Sequence, residues 1–455
     1  MGSCGIASGA GVELAQPRKK PVSCLSQTCT PRGVCLSTKK CSLRIMGHNA
    51  TKRRDCRSAV YTSDDFHPMD DAPHSFAYPI DQAEERIDVL GLGQAMIDFS
   101  VTLGDDAALK VMGVEKGARK LINVEERARI LQRLDAGSYK VSAGGSLSNT
   151  LVALARLGTT RGGGGGLKIA MAGLVGSDPL GSFYMAQMES AGVQIVSAPC
   201  ESANTGTVVV LTSPDAQRTM LSYLGTAAPV PVDTVLEAAI ARTSILVIEG
   251  YLWELPGALE TINRSVDIAR QHGVLVAMTA GDAGVVQRHG TEMWGLLARN
   301  KVDMLFTNTS EAAAMVAQKS TNDRYSEVKS EGGERVSSAE AAALALGPYC
   351  SLVSVTDGST GSVLTALGQL HVVPPHWNES APVDTCGAGD AYAAGLLYSY
   401  LFGYDVQTMG RTAARTASAV ISRHGGSLST DGAHSVVKTL PAGANSMVVS
   451  FPIGM

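Results

Sequence analysis

The sequence has no run of eighteen uncharged apolar residues, so it predicts no membrane-spanning helix. It also has little net charge, because 38 lysines and arginines nearly balance 42 acidic residues to give −4 at pH 7. We therefore expect neither a nucleic acid nor an anionic membrane as a partner. With 455 residues, 45% of them hydrophobic, the chain has the composition of an ordinary globular protein.

Several common nucleotide-binding and catalytic motifs are missing as well. No GxxxxGK[ST] occurs, and GLGQAM has Met96 where a dinucleotide fingerprint requires its third glycine. HRD, DFG, HExxH and GxSxG are also absent. The sequence therefore supports neither a Rossmann dehydrogenase nor a P-loop enzyme.

Acidic residues are nearly absent from the first 63 residues, where Glu13 and Asp55 stand against eleven lysines and arginines. Six of the nine cysteines lie here too, without the CxxC pair typical of a zinc site. A basic, acid-poor leader rich in Ser and Thr is typical of an organellar transit peptide, with a disordered cytosolic extension as the alternative. We expect residues 1–83 to be transit peptide and linker, 84–430 the folded domain, and 431–455 a C-terminal tail.

From Ile87 onward, short β-rich runs such as IDVLGLG, SILVIEGY and VLVAMTA alternate with helical patterns such as NTLVALARLG. This alternation predicts an α/β fold with a mostly parallel sheet covered by helices on both faces. Two segments interrupt it. Part of 97–143 has no strong core pattern, and 205–225 predicts a β-hairpin that turns near Pro214. We expect the two segments to form a small β lid on the sheet.

The segment PVDTCGAGDAYAAG, residues 382–395, places two glycines and an aspartate where a helix is predicted to begin, near Ala388. A helix start has unpaired N–H groups and a partial positive charge, and Gly387 and Gly389 allow an anion to approach the backbone. Beside a phosphate, Asp390 suits proton abstraction from an attacking hydroxyl. The alternative is a tight turn in which Asp390 merely favours the helix dipole.

Two further motifs each allow a structural and a functional interpretation. In NTSE, Asn308 and Glu311 match a capping box, or they could order water around Mg²⁺ and phosphate. In TDGSTG, from Thr356 to Gly361, the residues between two predicted strands form a hairpin turn, or they bind a triphosphate through backbone N–H and hydroxyl groups.

The acceptor side of a site is suggested by two other segments. In GGSLSNT, Asn149 follows the pair Gly144 and Gly145, so it either caps a helix or helps to hold a polyhydroxylated ligand. Asp98, expected at the end of the first strand, either faces water or accepts hydrogen bonds from sugar hydroxyls.

Taken together and in this order, the motifs GxxxxD, GGxxxN, GSDPLG, NxxE, TDGxxG and DTxGAGD resemble those of the pfkB, or ribokinase-like, family of carbohydrate and nucleoside kinases. The resemblance covers roughly Ile87 to Ser429, and the phrases LGLGQAMIDFS, PDAQRTML, EGYL and PVDTCGAGDAYA are similar to plastid kinases of plants and algae. It implies a three-layer αβα sandwich with a small β lid, a chloroplast location, and a kinase that uses ATP to phosphorylate a sugar-like alcohol. A nucleoside acceptor, or a kinase-fold scaffold with little activity, remains the alternative.

The resemblance also implies roles for individual residues. Asp390 would be the base, and the N–H groups of Gly387, Ala388 and Gly389 would form the anion hole. Asn308 and Glu311 would hold hydrated Mg²⁺, and Arg218 on the lid would reach the phosphates unless it is simply exposed. The lid would also offer a surface for a homodimer. The remaining assignments are Thr356, Gly358 and Gly361 for ATP, Asp98, Gly144, Gly145 and Asn149 for the acceptor, and Asp384, Cys386, Arg423, Gly425 and Ser429 for a monovalent cation such as K⁺.

Overall fold

The computed structural model describes residues 85–134, 139–160, 166–215, 217–225, 229–322, 337–377 and 381–441, without the side chains of 319–322. The predicted leader, residues 1–83, and most of the predicted tail lie outside these described residues. Within the described ranges, the length and apolar character that a membrane crossing requires are not combined in any helix.

Strands and helices alternate along most of the described chain, as the sequence predicts. The strands are β1 (Ile87–Leu92), β2 (Met96–Thr102), β3 (Arg119–Leu121), β4 (Tyr139–Gly144), β5 (Ile169–Ala172), β6 (Val193–Ile195), β7 (Gly206–Thr212), β8 (Arg218–Tyr223), β9 (Thr243–Ile248), β10 (Leu275–Thr279), β11 (Met304–Asn308), β12 (Leu352–Thr356), β13 (Ser362–Ala366) and β14 (Gln369–Val373). The helices are α1 (Ala107–Met112), α2 (Val124–Arg133), α3 (Ser146–Thr160), α4 (Pro179–Ser190), α5 (Thr234–Ala241), α6 (Ala258–Gln271), α7 (Ala283–Ala298), α8 (Thr309–Asn322), α9 (Ser338–Leu346), α10 (Ala388–Leu401), α11 (Val406–Ile421) and α12 (Thr430–Val437).

The strands form two sheets. The larger, here called the main sheet, has nine strands in the order β14-β13-β12-β11-β10-β9-β1-β5-β6. Seven neighbouring strands of this sheet run parallel to one another: β12, β11, β10, β9, β1, β5 and β6. Strands β13 and β14 are added antiparallel at the β12 edge. The smaller, here called the lid sheet, has five strands in the order β3-β8-β7-β2-β4.

Alternate side chains of the main sheet enter two different hydrophobic cores. Val89 of β1 and Val247 of β9 belong to one core, together with side chains of α3, α10 and α11. Leu90 and Leu246 point the other way, into a core that includes side chains of α6, α7 and α9. Because both faces of the sheet are covered, its strands are almost continuously apolar. The predicted mostly parallel sheet between two helical layers is confirmed.

The lid sheet is built from the two segments that interrupt the alternating pattern. β7 and β8 pair as the antiparallel hairpin that the sequence predicts near Pro214. β2 does have a core pattern, with Ile97, Phe99 and Val101 buried at every second position. A short alternating strand has only three such positions, so the pattern is easily missed in a single sequence.

The folded domain extends past the boundary predicted at residue 430. Helix α12 begins at Thr430, and Ala433 and Val436 are buried in the same core as α3. An eight-residue helix with two buried side chains offers little periodicity to recognise in the sequence. Residues 430–437 are therefore part of the domain and not of a tail.

Candidate active site

A cleft of about 440 Å³ lies between the carboxyl end of the main sheet and the lid sheet. This volume falls in the range of roughly 300–1,000 Å³ that is usual for small-molecule sites. In the main sheet, β5 and β6 lie on one side of β1, and β9 to β12 lie on the other. Ligands of open α/β sheets bind at such a switch point, beyond the carboxyl ends of the strands. The topology therefore indicates a ligand site here.

The cleft has two walls of different construction. The main wall consists of loops and helix starts at the carboxyl end of the main sheet. The lid wall consists of residues on one face of the lid sheet, since alternate residues of a strand point to the same side. The main wall includes Gln94, Ser146, Asn149, Glu249, Tyr251, Asp282, Asn308 and 385–390, and the lid wall includes Met96, Asp98, Arg119, Val208, Val210, Arg218, Met220 and Ser222.

Asp390 lies in the first turn of α10, which begins at Ala388 as predicted. Ser146 donates a hydrogen bond to Asp390 Oδ1 at 2.6 Å, and Asn149 Nδ2 donates one to Oδ2 at 3.2 Å. Both donors come from the first turn of α3. The carboxylate is thus held at the cleft by a neighbouring helix, where a proton acceptor would need to be.

Gly387 and Gly389 meet different structural requirements at this helix start. Gly387 has φ 69°, and a Cβ there would collide with the carbonyl oxygen of Gly426. A Cβ on Gly389 would meet open space, with no atom within 4 Å. The N–H of Ala388 makes only a long bond of 3.4 Å to Thr385 O. The start of α10 therefore offers backbone N–H groups and room for an anion.

Asp98 lies in the middle of β2, opposite Ser142 of β4, so the expectation that it ends the first strand is wrong. The chain leaves the main sheet at Gly93 and begins a new strand at Met96, which carries Asp98 into the lid wall. Its burial and the nearby charge of Asp390 raise the pKa of Asp98 to about 7.

The glycine pair before α3 is explained by its neighbours. A Cβ on Gly144 would occupy the position of the Asp98 carboxyl group. Gly145 has φ 94°, a conformation that favours glycine, and it leads directly into α3. The pair therefore makes room for Asp98 and turns the chain, whether or not it also contacts a ligand.

Asn149 lies inside α3 and does not cap it. Its side chain is 8% exposed, and it links Asp390 to the segment before α12, because Oδ1 accepts a hydrogen bond from Ser427 at 3.1 Å. The helix-cap alternative for Asn149 is wrong, since the helix begins three residues earlier.

Asn308 and Glu311 form the reciprocal bonds of a capping box. The N–H of Glu311 donates to Asn308 Oδ1 at 2.9 Å, and the N–H of Asn308 donates to Glu311 Oε2 at 2.9 Å. Asn308 Nδ2 also donates to Glu311 Oε1 at 2.6 Å. Burial is the main cause that raises the pKa of Glu311 to about 7. The cap thus stands at the cleft, and its structural role does not exclude contact with a hydrated cation.

The predicted ATP loop lies next to this cap. Asn308 and Thr356 are paired in register at the ends of β11 and β12. Thr309 Oγ1 donates to Thr356 O at 3.2 Å and to Asp357 Oδ1 at 2.9 Å. The connection to β13 is a single 3₁₀ turn, Gly358–Thr360, followed by Gly361 with φ 113°. These residues join the antiparallel neighbours β12 and β13, so the hairpin-turn alternative is confirmed, and it does not exclude contact with a triphosphate.

Of the residues predicted to bind a monovalent cation, Cys386 and Gly425 are held by the Asp384 side chain. Asp384 Oδ1 accepts a hydrogen bond from Cys386 N, and Oδ2 accepts one from Gly425 N, both at 2.9 Å. Ser429 Oγ accepts a bond from Gly432 N at 3.1 Å as the N-cap of α12. Arg423 lies just after Ser422, the C-cap of α11, and its N–H donates to Val420 O at 3.2 Å.

The Arg218 guanidinium forms an ion pair with Asp384, and its side chain is only 16% exposed, so the alternative of an exposed arginine is wrong. A second lid arginine, Arg119, pairs with Asp282 at 2.8 Å and hydrogen-bonds the Tyr251 hydroxyl. Both ion pairs join the lid wall to the main wall. No local pattern marked Arg119, since its partners are distant in the sequence, and Tyr251 was marked only as part of the segment EGYL.

Glu249 is a further acidic group in the cleft that sequence reasoning did not assign a role. It is 1% exposed, and its carboxylate accepts hydrogen bonds from Gln94 N at 2.6 Å and Leu147 N at 3.1 Å. Burial raises its pKa to about 7, and the charge of Asp390 adds to the shift. Glu249 belongs to the segment EGYL, and its position directly after an apolar strand is the sequence feature that could have identified it.

Asp390 is therefore one of several carboxyl groups that share the cleft. Burial raises its pKa to about 6, against the opposing effects of the bonds from Ser146 and Asn149 and the charge of Arg119. Asp98, Glu249 and Glu311 have pKa values near 7, and the charge of Asp390 contributes to each of the three shifts. A cation entering the cleft would relieve this mutual repulsion.

An α/β sheet with a cleft at its switch point, a helix start open to an anion and an aspartate in its first turn define a small-molecule kinase. The model of the pfkB family carbohydrate kinases matches residues 119–432, well over half of the chain. The chain therefore belongs to the pfkB family of carbohydrate kinases, and it is a phosphotransferase with an alcohol group as acceptor.

Relatives with assigned names agree with this family. The ATP-dependent ribose-1-phosphate kinase of Halopiger xanaduensis is 29% identical over 294 residues, which are 62% of this chain and 84% of the relative. The 5-dehydro-2-deoxygluconokinase of Bacillus velezensis is 22% identical over 366 residues, 79% of this chain and 96% of the relative.

Solved structures agree with the predicted fold. The adenosine kinase of Sinorhizobium meliloti superposes with a TM-score of 0.64 at 29% identity, over 78% of this chain and 99% of that structure. A probable sugar kinase protein from Rhizobium etli CFN 42 gives 0.64 at 28% identity, over 78% and 98%. The ribokinase-like fold is confirmed over nearly the full length of both structures.

Proposed function

We propose that this kinase transfers the γ-phosphoryl group of ATP to a hydroxyl of a sugar or sugar-like alcohol, with Asp390 as the base. The observation that carries the proposal is the position of Asp390, which is held in the cleft by Ser146 and Asn149 beside the open helix start. The pKa of about 6 leaves Asp390 mostly ionised at neutral pH, as a base requires.

The chemical step uses the two features of this helix start. Asp390 accepts the proton of the acceptor hydroxyl while the hydroxyl oxygen attacks the γ-phosphorus. The bond between the γ-phosphorus and the β–γ bridging oxygen breaks, and ADP is released. The N–H groups of Gly387, Ala388 and Gly389 stabilise the charge on the transferred group. Asp98, across the cleft, accepts hydrogen bonds from other hydroxyls of the acceptor and so fixes its orientation.

ATP and Mg²⁺ fit the residues at the ends of β11 and β12. We assign the ATP site to Thr356, Gly358 and Gly361, and the contact with hydrated Mg²⁺ to Asn308 and Glu311. The observation in favour is the pKa of Glu311, which is raised by burial among other acids, so that a nearby cation would stabilise its charged form. Bound Mg²⁺ would neutralise and orient the phosphates.

A screen of acceptors tests the proposed reaction. The full chain is incubated with ATP, Mg²⁺ and a panel of sugars, sugar phosphates, sugar acids and nucleosides, and ADP release and phosphorylated product are measured. We expect acceptor-dependent turnover with at least one sugar. Stabilisation by ATP in a thermal-shift assay without turnover on any member would instead favour a kinase-fold scaffold, which the comparisons do not favour.

A nucleoside is the second candidate acceptor. The observation that favours it is the similarity to the adenosine kinase of Sinorhizobium meliloti at 29% identity. Turnover with adenosine that exceeds turnover with every sugar would support this candidate over the first.

The role of Glu311 in binding Mg²⁺ has its own test. Glu311→Gln keeps a side chain that can accept the bond from Asn308 N, so the cap should persist and the melting temperature should change little. We expect the Mg²⁺ concentration for half-maximal turnover to rise roughly tenfold. The matched control is Glu340→Gln in the capping box of α9, outside the cleft. If the Mg²⁺ requirement does not change, Asn308 and Glu311 only cap α8 and do not bind the metal.

Location and assembly are further proposals. The basic, acid-poor composition of residues 1–83 supports import into a plastid, and a fluorescent protein fused to these residues should accumulate there in a plant or algal cell.

A homodimer through the lid is supported by Leu121 of edge strand β3, which is 53% exposed. Sedimentation of the wild type and Leu121→Ser would test it.

A further inference from the structure

The ion pair between Arg218 and Asp384 joins the lid wall to the segment that leads into α10. Arg218 is the first residue of β8 in the lid sheet, and its Nη2 contacts Asp384 Oδ1. The two side chains are only 16% and 15% exposed. Water therefore screens this pair less than it screens an ordinary surface pair.

Asp384 supports the helix start from behind. One of its oxygens accepts the N–H of Cys386, the residue before Gly387, and the other accepts the N–H of Gly425. Gly426, the next residue, has its carbonyl oxygen against the Cα of Gly387. The Asp384 carboxylate thus holds together the two segments on which the anion-binding N–H groups depend. Its negative charge needs a positive partner at this depth.

The family resemblance predicts that this partner is a monovalent cation, but the side chains do not fit that expectation. Asp384 is the acidic residue of the predicted set, and its charge is already opposed by Arg218. The Ser429 hydroxyl is used as the cap of α12. A cation beside Asp384 would stand close to a guanidinium, and like charges repel strongly where water is partly excluded.

We propose that Arg218 supplies the positive charge that the resemblance assigns to K⁺, so that the helix start of α10 is organised by a lid residue and needs no monovalent cation. Arg218 is a positioning residue, because it acts on the anion hole through Asp384. Since Arg218 belongs to the lid sheet, the charge is delivered when the lid wall and main wall are together. The inference rests on the proposed function only in taking ATP as the ligand of this helix start.

The experiment compares potassium with a cation too large to replace it. The full chain is measured in KCl and in choline chloride at equal concentration, by thermal melting and by calorimetric titration with Mg²⁺ and ATP. The variants are Arg218→Met, Asp384→Asn and the double variant. Arg119→Met is the matched control. Arg119 is also a lid residue that pairs with a main-wall aspartate, but its partner is Asp282, at 2.8 Å.

We expect the wild type to melt at the same temperature and bind ATP with the same affinity in both salts. Arg218→Met should lower the affinity for ATP by roughly tenfold or more in choline chloride, because it leaves the charge of Asp384 uncompensated. Adding Asp384→Asn should recover much of that loss, since the amide needs no counter-charge. The same addition should not rescue Arg119→Met.

Two results would overturn the inference. One is a wild type whose melting temperature falls by several degrees, or whose ATP affinity falls tenfold, when choline replaces potassium. The other is a loss in Arg218→Met that Asp384→Asn leaves unchanged. The wild-type comparison decides the question even if Arg218→Met does not fold. If no ATP binds in either salt, the proposed function fails, while the melting temperatures still decide the role of Arg218.

Discussion

The two walls of the cleft are built in opposite ways. On the main wall, the sheet stays buried, and the groups that meet a ligand belong to short segments that follow its strands or begin helices, such as 385–390. On the lid wall, the strands themselves face the cleft, and they present single side chains such as Asp98 and Arg218. The main wall is therefore formed by short segments that include the contiguous run 385–390, and the lid wall by single residues of separate strands.

This difference suggests a division of labour. Backbone N–H groups at a helix start and a carboxylate held by two hydrogen bonds suit a step that is the same for every acceptor. Isolated side chains on a sheet can change one at a time without disturbing the backbone, which suits recognition of a particular acceptor. We therefore expect main-wall variants to lower kcat and lid-wall variants to raise KM. The following predictions, in order of decreasing effect, test that division.

The largest effect should come from Asp390→Asn on the main wall. Asparagine keeps the size of the side chain but cannot take the proton, so kcat should fall by roughly 10²–10⁴. Affinity for ATP should hold or rise, because a negative charge beside the γ-phosphate is removed. Steady-state turnover measurements give kcat, and calorimetric titration gives the affinity for ATP.

The fold provides the control for this variant. Asn149 Nδ2 can no longer donate to a carboxylate oxygen if the new amide nitrogen takes that position, so a stability loss of up to about 1 kcal/mol is expected. A variant with unchanged kcat and weaker ATP binding would contradict the role of Asp390 as base.

The second effect should come from Asp98→Asn on the lid wall. Losing the charged acceptor of a hydrogen bond costs about 1.5–3 kcal/mol, which corresponds to roughly 10–100-fold in KM for the sugar, with a smaller change in kcat. The assay belongs at pH 8.5, because the pKa of Asp98 is about 7 and the group is then ionised.

Ser142→Ala is the control for Asp98→Asn, because Ser142 is opposite Asp98 in β4. If both variants raise KM equally, disturbance of the strand pair is the cause. If Asp98→Asn lowers kcat as much as Asp390→Asn does, the two walls share the chemical step and the proposed division is wrong.

The same contrast explains what the sequence could predict. DTCGAGD marks a helix start because Gly387, Gly389 and Asp390 lie within one turn of it, and α10 begins at the expected Ala388. NTSE forms its capping box within four residues. Such motifs carry their geometry with them, since the interacting groups are neighbours in the chain. The mostly parallel sheet is predictable for a similar reason, because a buried strand needs only its own apolar run.

The contacts of the site that the sequence did not reveal depend on distant partners. Ser146 reaches Asp390 across 244 positions of the chain, and Arg119 reaches Asp282 across 163. Asp98 was placed in the wrong strand, because a three-residue exit from the main sheet at 93–95 carries no strong turn signal. Its position against Gly144 follows only from the pairing of β2 with β4. A pattern in one sequence cannot specify which strands pair.

The third effect concerns Ser146→Ala on the main wall. The bond from Ser146 stabilises the ionised form of Asp390, so its removal should raise the pKa of Asp390 above about 6. The acidic limb of the pH profile of kcat should move to higher pH, with a loss of about threefold to tenfold at pH 6 and little change at pH 8.5.

Ser148→Ala is the matched control, because Ser148 lies in the same helix turn but bonds the Tyr184 hydroxyl at 2.7 Å. A uniform loss at all pH values in Ser146→Ala, equal to the loss in Ser148→Ala, would show damage to α3 in place of a change in the base.

The smallest effect is a change in stability with pH that spans both walls. Asp98, Glu249, Glu311 and Asp390 have folded-state pKa values of about 6 to 7, above their ordinary values of 3.8 for Asp and 4.5 for Glu. Between about pH 4 and pH 7 the folded state therefore holds more protons than the unfolded state. Under that condition the free energy of unfolding falls as pH rises. The stabilising contribution of these groups is complete below pH 4 and is lost through pH 6 to 7.

Chemical denaturation at pH 5 and pH 7 should therefore show a smaller contribution of these carboxyl groups to the free energy of unfolding at pH 7 than at pH 5. Glu249→Gln removes one titrating group, so the difference between the two pH values should be smaller in this variant, whatever its overall stability. Activity should move in the opposite direction, because Asp390 must be ionised to act. An equal pH difference in wild type and variant would mean that Glu249 titrates normally, and that the acids of the two walls do not share one electrostatic environment.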